Sequence, residues 1–330
     1  MKSEVNNFWQ KLERPIMVLA PMADVTDAAF RRIIAKYGKP DVMWTEFVSA
    51  DGLALAPEAG RKKLLKDLEY SEAERPIVAQ FFTSSPEHMK GAAELACELG
   101  FDGVDINMGC PDKSVEKQGA GASLMKNVSL ARELIRAAKE GAPNLPISVK
   151  TRTGYSRPDL ENWLPEILKE DLAIITVHAR TRKEMSKAPT RWEFVRRAVE
   201  IRDEFALRHA QGKNERTLIF GNGDVVDIDD ARRKCKEFGC DGVMLGRAIF
   251  GNPWLFSERV PEIAEKLRVL VEHAKLFEEL LLGYKNFAIM KKHFKAYVTG
   301  FDGAGDLRAR LMAVNDANEV EKIVSDILLS

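Results

Sequence analysis

Short β-branched apolar runs recur along the first three quarters of the chain, and each is followed by a longer stretch with apolar residues at helical spacing. This alternation predicts repeated βα units around a parallel sheet, whose strands are buried on both faces. The predicted strands are IMVLA from Ile16, VMWT from Val42, IVAQF from Ile77, GVDIN from Gly103, ISVK from Ile147, AIITVH from Ala173, TLIFGN from Thr217 and GVMLG from Gly242. Eight parallel strands separated by helices favour an α/β fold of the TIM (β/α)₈ barrel type.

The segment after the first predicted strand argues against a doubly wound open sheet. Such a sheet usually carries a Gly-rich phosphate turn at that point. This chain reads APMADVTD there, from Ala20 to Asp27. The closed barrel is therefore the better interpretation. A charged segment from Pro57 to Arg75 is expected to form a solvated helix or loop on its rim.

The β pattern stops after Trp254, and helical spacing dominates from about Glu258 to the C-terminus. A TIM barrel needs roughly 250 residues. We therefore predict a barrel domain over residues 1–256 and a small helical domain over residues 257–330.

The opening segment MKSEVNNFWQKLERP carries charges throughout and has no apolar run. This composition predicts neither a secretory signal nor a membrane span, so we expect a cytoplasmic protein. Four cysteines lack the spacing of a zinc site and the density of a disulfide scaffold; they are Cys97, Cys110, Cys235 and Cys240. We expect free thiols and no bound metal.

Polar residues follow most of the predicted strands, on the side of the barrel where active sites form. One such residue alone is more often structural than functional, but a repeat over seven strand ends is hard to explain that way. The candidates, in chain order, are Met22, Gln80, Asn107, Cys110, Lys150, Arg152, His178, Arg180, Asn222, Gly223, Asp224, Gly246 and Arg247.

The last two strand ends predict a phosphate site. The segments FGNGDV and LGRAIFGNP place glycines beside helix starts, where backbone N–H groups and the helix dipole hold a phosphate monoester. An Asn-Gly pair alone marks an ordinary turn, but followed one strand later by Gly246 and Arg247 it indicates flavin mononucleotide (FMN) or a similar phosphate. Lys150 and Gln80 would then face the pyrimidine part of the flavin ring.

Cys110 lies in the segment NMGCP, between Gly109, which permits a tight turn, and Pro111, which restricts the backbone. This placement predicts a thiol presented at the barrel mouth. The other cysteines lie in or next to predicted helices, where core or surface packing is expected.

These motifs resemble one family, the tRNA dihydrouridine synthases, over nearly the whole chain. The matching segments are APMADVTD, the pair Thr45 and Glu46, VAQFF, DINMGCP, GAGASLM from Gly119, SVKTRTG, VHARTR, GNGDV and GRAIFGNPW. NMGCP followed by GAGASLM is specific, whereas APM, GNGD and GR are shared with other FMN barrels. The segment MKKHFKAYVTGF from Met290 is similar to the family's helical RNA-binding domain.

The resemblance implies reduction of a tRNA uridine to 5,6-dihydrouridine, with FMN as cofactor and NADPH or NADH as reductant. It makes Cys110 the acid that protonates carbon 5 of uracil, and it implies substrate contacts from Asn107, Arg152 and Arg180. The implied FMN contacts are Pro21, Met22, Ala23, Gln80, Lys150, His178, Asn222, Gly223, Asp224, Gly246 and Arg247. The implied partner is tRNA, and we expect a monomer.

The chain departs from the family pattern after HARTR, where the family often has a Tyr-x-Gly segment. Here the sequence reads KEMSKAPTRW, with Ser186 and Ala188 at that place. We therefore expect this chain to differ from the family pattern in its uridine contacts or in the tRNA position that it reduces.

Fifty basic and fifty acidic residues cancel, so any RNA contact must use local patches. Residues 180–191 carry five basic residues against one acidic residue, and residues 285–310 carry six against two, with aromatic residues interleaved. Each patch alone is typical of a solvated face, and the aromatic residues alone are typical of a core. Two patches flanking one barrel mouth favour a footprint for the phosphate backbone.

Two other functions stay open at this point. An FMN barrel that reduces a free pyrimidine or an enone would act on free uracil and not on unmodified tRNA. An RNA-binding protein that keeps the fold without catalysis would purify without colour, although the presence of Cys110, Lys150 and His178 argues against it.

Overall fold

The computed structural model describes residues 7–209 and 216–329. Eight parallel strands lie where the sequence pattern predicts them. They are β1 (Ile16–Leu19), β2 (Met43–Ser49), β3 (Ile77–Phe82), β4 (Gly103–Met108), β5 (Ile147–Arg152), β6 (Ile174–His178), β7 (Leu218–Asn222) and β8 (Gly242–Leu245).

The sheet closes into a barrel. Each strand from β2 to β7 pairs in parallel with the strand that follows it in sequence, and β8 pairs in parallel with β1. Between β1 and β2, the backbone N–H of Leu19 donates to the carbonyl of Val42 at 3.2 Å, and that of Asp41 donates to Met17 at 3.0 Å. The predicted (β/α)₈ barrel is confirmed.

Helices follow the strands around the outside of the barrel. They are α1 (Ala28–Tyr37), α2 (Ala50–Leu55), α3 (Glu58–Asp67), α4 (Pro86–Glu98), α5 (Lys113–Lys117), α6 (Val128–Gly141), α7 (Leu160–Leu168), α8 (Glu193–His209) and α9 (Ile228–Phe238). The charged segment from Pro57 to Arg75 contains α3, which has no fully buried residue, so the predicted solvated helix is confirmed.

Local sequence sets the helix ends. The Asp27 side chain accepts a hydrogen bond from the N–H of Phe30 at 2.9 Å, which satisfies a free donor in the first turn of α1. Gly239 ends α9 with φ of +73°, a left-handed conformation that costs glycine little. These caps fix where α1 begins and where α9 ends.

The end of the barrel opposite the C-terminal strand ends is closed by aromatic side chains. A 3₁₀ turn over Phe8–Lys11 carries Trp9, whose ring lies 5.6 Å from Trp44 and 5.9 Å from Phe220, between ring centroids. These rings are buried inside the barrel. Only the other end is therefore open for a ligand.

Four further helices follow the barrel: α10 (Ile263–Leu281), α11 (Met290–Tyr297), α12 (Ala304–Leu311) and α13 (Ala317–Leu329). α10 packs against α1, and one hydrophobic core includes side chains of both. The ring of Phe30 on α1 lies 4.9 Å from His273 and 4.7 Å from His293. The helical region thus shares its core with the barrel, while the predicted domain boundary at residues 256 and 257 stays a prediction.

Within residues 7–209 and 216–329, none of the helices combines the length and the apolar composition that a membrane span requires.

Candidate active site

A cavity of about 250 Å³ opens at the C-terminal ends of the strands. Fourteen of the fifteen predicted site residues line it: Pro21, Met22, Gln80, Asn107, Cys110, Lys150, Arg152, His178, Arg180, Asn222, Gly223, Asp224, Gly246 and Arg247. Ala23 does not line the cavity, because it lies exposed on the loop after β1. Phe47, Pro111, Ser186 and Val225 also line it and were not predicted as contacts.

Strand register explains why residues distant in sequence meet in this cavity. Asn107 on β4 lies opposite Lys150 on β5. Arg152 lies opposite His178, which lies opposite Asn222 on β7. Parallel strands in register bring their carboxyl ends to one level, so these side chains form a ring at the barrel mouth.

Lys150 is one member of this ring, and it contacts another. Its Nζ donates to Oδ1 of Asn222 at 3.1 Å, and Nδ2 of Asn222 donates to the carbonyl of Met244 at 2.7 Å. Burial, aided by the nearby Arg152 charge, lowers the pKa of Lys150 to about 8. Burial, then the Lys150 charge, holds the pKa of His178 well below its ordinary value, so His178 is neutral at pH 7. The site therefore offers a cation and a neutral imidazole to a ligand.

The loops after β7 and β8 have the geometry of a phosphate site. Gly223 has φ of +121°, and a Cβ there would lie 2.6 Å from Thr190 and 2.9 Å from the His178 ring. In the part of the chain that the structure describes, the backbone N–H groups of residues 223, 224, 246 and 247 donate to no other backbone carbonyl. Donors of this kind on Gly-containing loops suit a phosphate monoester.

Asp224, on the loop after β7, pairs with two arginines at this phosphate-type site. Its carboxylate accepts hydrogen bonds from Arg180 through one oxygen and from Arg247 through the other. The Arg180 side chain is buried, whereas that of Arg247 is 65% exposed. A carboxylate between two guanidinium groups leaves one net positive charge and orients both groups, which favours an anionic ligand at this place.

The Cys110 loop is held by hydrogen bonds to its backbone. Oδ1 of Asn107 accepts from the N–H of Gly109 at 3.1 Å and from that of Cys110 at 2.9 Å. Nε of Arg152 donates to the carbonyl of Gly109 at 2.7 Å. The thiol is half-buried, and burial raises its pKa above the ordinary value. Cys110 is therefore a protonated thiol at neutral pH, on a fixed loop at the cavity.

Arg152 and Arg180 use their donors mainly within the protein. Besides Gly109, Arg152 donates to the carbonyls of Thr181 at 3.0 Å and Met185 at 2.9 Å. Arg180 donates to the carbonyl of Ala188 at 2.5 Å as well as to Asp224. Both therefore hold the loop after β6 against the site, and their contact with a substrate stays a prediction.

The dihydrouridine synthase family model matches residues 18–330. The chain belongs to the dihydrouridine synthase family. It is 39% identical over 324 residues to "Probable tRNA-dihydrouridine synthase 2" of Bacillus subtilis, covering 97% of this chain and 96% of that one. It is 37% identical over 324 residues to "Probable tRNA-dihydrouridine synthase" of Staphylococcus aureus, covering 97% and 95%.

Solved structures show the same fold at low sequence identity. A 2-naphthoyl-CoA reductase has a TM-score of 0.53 at 12% identity, over 73% of this chain and 49% of that one. A variant of NCR from Zymomonas mobilis has a TM-score of 0.50 at 15% identity, over 74% and 87%. These likenesses concern the barrel fold alone.

The first predicted basic patch of this family member is largely neutralised. Arg180, Arg182 and Arg191 pair with Asp224, Glu116 and Glu184, respectively. Lys183 and Lys187 are the remaining cations of residues 180–191, which the structure describes in full, and neither has an ion-pair partner within 4.0 Å. The formal charge of this segment therefore overstates what it offers to RNA.

The second predicted patch differs from expectation in its aromatic residues. Phe287, Phe294 and Tyr297 are buried in the core and cannot stack on bases, whereas Tyr284 is 44% exposed. Helical spacing brings apolar and basic residues to opposite faces of one helix, so interleaving in sequence does not place them together.

Two of the cations of this second patch are paired. Lys285, whose side chain is 11% exposed, pairs with Glu46, and Arg310 pairs with Asp326. Lys291, Lys292 and Lys295 on α11 have no ion-pair partner within 4.0 Å among the described residues. Arg308 also has no ion-pair partner among the described residues, and its guanidinium donates to the carbonyl of Val298 at 2.8 Å. These three lysines and the half-buried Arg308 are the unpaired cations that the segment offers to a phosphate backbone.

The thiols other than Cys110 lie away from the cavity. Cys235 and Cys240 are buried, with their Sγ atoms 3.6 Å apart, and Cys97 is on the outer helix α4. All four cysteines are free, as expected. Within the described ranges, no group of three or more His, Cys, Asp or Glu side chains is placed to hold a metal ion.

Two polar residues next to the site were not among the sequence candidates. Asp105 and Ser148 lie inside β4 and β5 and are buried in the barrel interior. Both lie earlier in their strands than the residues that the sequence pattern indicated. An aspartate within the apolar run GVDIN is a signal that could have found the first.

Proposed function

We propose that this protein reduces a uridine of tRNA to 5,6-dihydrouridine, with FMN as cofactor and NADPH or NADH as reductant. The observation that carries the proposal is the placement of Cys110, a protonated thiol held by Asn107 at the mouth of a cavity whose other side has phosphate-type loops. Family membership supports the same reaction.

The residues at the cavity fit FMN. The free N–H groups of residues 223, 224, 246 and 247, with Arg247, would hold the phosphate. Lys150 would lie against the electron-accepting end of the ring, where a buried cation stabilises negative charge. FMN bound there, reduced by the nicotinamide coenzyme, would supply the hydride for carbon 6 of uracil.

Cys110 supplies the other half of the reaction. The C4 carbonyl of uracil conjugates its 5,6 double bond, so hydride addition at carbon 6 requires a proton at carbon 5. The Cys110 S–H bond breaks, its proton forms the new C–H bond at carbon 5, and the thiolate regains a proton from water. The raised pKa of Cys110 keeps the thiol protonated until it is needed. Arg152 and Lys150 stabilise the thiolate afterwards, since both lower the pKa of Cys110.

Access to the uracil requires that the base leave the tRNA stack and enter the cavity. Recognition of RNA by shape and backbone contacts suits this requirement. Lys291, Lys292 and Lys295 on α11 have no ion-pair partner among the described residues and would contact the phosphate backbone.

The test is product formation. Purified protein with FMN and NADPH is incubated with an unmodified tRNA transcript, and the nucleosides are analysed by mass spectrometry for a gain of two hydrogens on uridine. We expect dihydrouridine in the tRNA and none from free uracil. Reduction of free uracil alone would favour the small-molecule reductase, and a protein that binds tRNA but no FMN would favour the non-catalytic alternative.

A further inference from the structure

A carboxylate lies inside the barrel beneath the proposed site. Asp105 on β4 is fully buried, and its strand neighbours are Gln80 on β3 and Ser148 on β5. Nε2 of Gln80 donates to Oδ2 of Asp105 at 2.6 Å, and the Ser148 hydroxyl donates to Oδ1. Burial raises the pKa of Asp105 to about 6, so the group is ionised at neutral pH.

Hydrogen bonds continue from Asp105 to the Cys110 loop. Oε1 of Gln80 accepts from Nδ2 of Asn107 at 3.0 Å. Oδ1 of Asn107 in turn accepts from the N–H groups of Gly109 and Cys110, at 3.1 and 2.9 Å. One chain of contacts therefore runs from the barrel interior to the backbone of the proposed acid.

The ionised carboxylate of Asp105 determines which way the amide groups of Gln80 and Asn107 are turned. An ionised Asp105 only accepts hydrogen bonds, so Gln80 must turn its NH₂ group toward it and its oxygen toward Asn107. Asn107 must then turn its NH₂ group toward Gln80 and its oxygen toward the loop. The reverse orientation of both amides would place the Asn107 NH₂ group against two N–H donors, which is unfavourable in a buried network.

We propose that Asp105 is a positioning residue for the reaction, which acts through Gln80 and Asn107 to hold the Cys110 thiol where it delivers its proton. This inference rests on the proposed function for its effect on rate, but the link from Asp105 to the Cys110 loop does not. An Asp105→Asn variant keeps the side-chain volume but replaces the carboxylate with a neutral amide, so Gln80 loses the charged acceptor that fixes its orientation and Asn107 holds the loop less firmly.

The test is a double-mutant cycle on the tRNA half-reaction. The parent, Asp105→Asn, Cys110→Ala and the double variant are prereduced without oxygen and mixed with unmodified tRNA, and the return of oxidised-flavin absorbance is followed. Loss of one oriented hydrogen-bond chain is expected to slow the Asp105→Asn variant about tenfold. In the Cys110→Ala background the same substitution should change the rate less than about twofold, since coupled residues are not additive.

Asp102→Asn is the matched control. Asp102 precedes β4 at the opposite end of the barrel, where it accepts from the N–H of Ile77 at 2.8 Å. We expect this variant to keep the parent rate in both backgrounds. Equal losses from Asp105→Asn in both backgrounds, or no loss in either, would overturn the positioning role.

A second readout does not depend on turnover. Iodoacetamide alkylation of Cys110, followed by mass spectrometry in the FMN-bound protein, should become several-fold faster in Asp105→Asn and stay unchanged in Asp102→Asn. An unchanged rate in Asp105→Asn would overturn the link to the loop. If tRNA never reoxidises the reduced flavin of the parent, but Cys110 alkylation is still faster in Asp105→Asn than in Asp102→Asn, the proposed function is rejected. The link from Asp105 to the Cys110 loop is then still supported.

Discussion

The Nζ atom of Lys285 lies 2.6 Å from a carboxylate oxygen of Glu46, and this ion pair joins the helical region to the middle of β2. Asp67 lies 3.0 Å from the same ammonium. The other Glu46 oxygen accepts from the N–H of Asp24, on the loop after β1 that also carries Met22. A lysine between α10 and α11 is thus connected to a loop that lines the cavity.

Lys285→Met is expected to lower the free energy of unfolding by about 3 kcal/mol, because it leaves a buried carboxylate without its partner. Burial raises the pKa of Glu46 from 4.5 to about 7 even with the ammonium present, and loss of the ammonium raises it further. The folded variant then keeps a proton that the unfolded chain releases above pH 4.5, so its stability falls as pH rises from there through the folded pKa.

Thermal melts of parent and variant at pH 5.5 and pH 8 measure this effect, with the larger loss expected at pH 8. Lys36→Met is the control, since Lys36 pairs with Glu272 between the same two parts of the chain but at the surface. An exposed pair of this kind contributes about 1 kcal/mol or less. Equal losses for Lys36→Met and Lys285→Met would contradict the buried-pair argument.

Arg247→Ala is expected to weaken FMN binding roughly ten- to hundredfold, since a charge-assisted hydrogen bond contributes about 1.5–3 kcal/mol. Riboflavin has no phosphate, so its affinity should stay unchanged. Flavin fluorescence titrations of the flavin-free protein compare the two ligands. Arg232→Ala, which removes an exposed arginine paired with Glu258 on the barrel exterior, should affect neither. Equal weakening for both flavins would mean that Arg247 does not contact the phosphate.

Lys291→Glu and Lys295→Glu on α11, each made singly, are expected to weaken tRNA binding. Each lost phosphate contact should also reduce the slope of log K against log salt by about 1. Binding is measured at several salt concentrations, with Lys236→Glu on α9 as the control. Truncation before α10 is a poorer test, because it would expose the core that α1 and α10 share. An unchanged salt slope in both lysine variants would exclude α11 from the RNA contact surface.

Alkylation of Cys110 is expected to be slow at pH 7.5, because burial raises the pKa of its thiol above the ordinary value and the thiolate is the reactive form. The rate should rise with pH, with a midpoint above that of an ordinary cysteine thiol. A Cys97→Ser background simplifies the mass-spectrometric signal, since Cys97 is the exposed thiol. A midpoint below pH 7 would show that Cys110 is mainly a thiolate at neutral pH and would argue against its role as an acid.

Local patterns in the sequence were sufficient to predict the strands and most of the residues that line the cavity. Each strand is a short apolar run that is buried on both faces, and the barrel brings the polar residues that follow those runs to one mouth. Cys110 and Lys150 could be found in this way because their position relative to a strand determines where they point. The orientation of Ala23 could not be predicted in this way, since it depends on the conformation of a loop and not on the regular spacing of side chains along a strand or helix.

Pairing between distant residues could not be predicted from those patterns. Lys285 was predicted as part of a basic surface, but its ammonium pairs with the buried Glu46, which is 239 positions away in sequence. Arg182 likewise pairs with Glu116. A count of charges along a segment does not show which of them meet an opposite charge after folding. The direction of the amide chain from Asp105 also depends on contacts between three strands.

The most direct test of the central claim is the tRNA half-reaction of Cys110→Ala. Parent, Cys110→Ala and Cys97→Ala proteins are first reduced by NADPH and then mixed with unmodified tRNA in a stopped-flow instrument without oxygen. Reduction by NADPH should be normal in all three, since it needs no acid on this loop. The tRNA step of Cys110→Ala should be about 10² to 10⁴ slower than that of the parent, with Cys97→Ala unchanged. Reoxidation of Cys110→Ala as fast as the parent would show that another group is the acid.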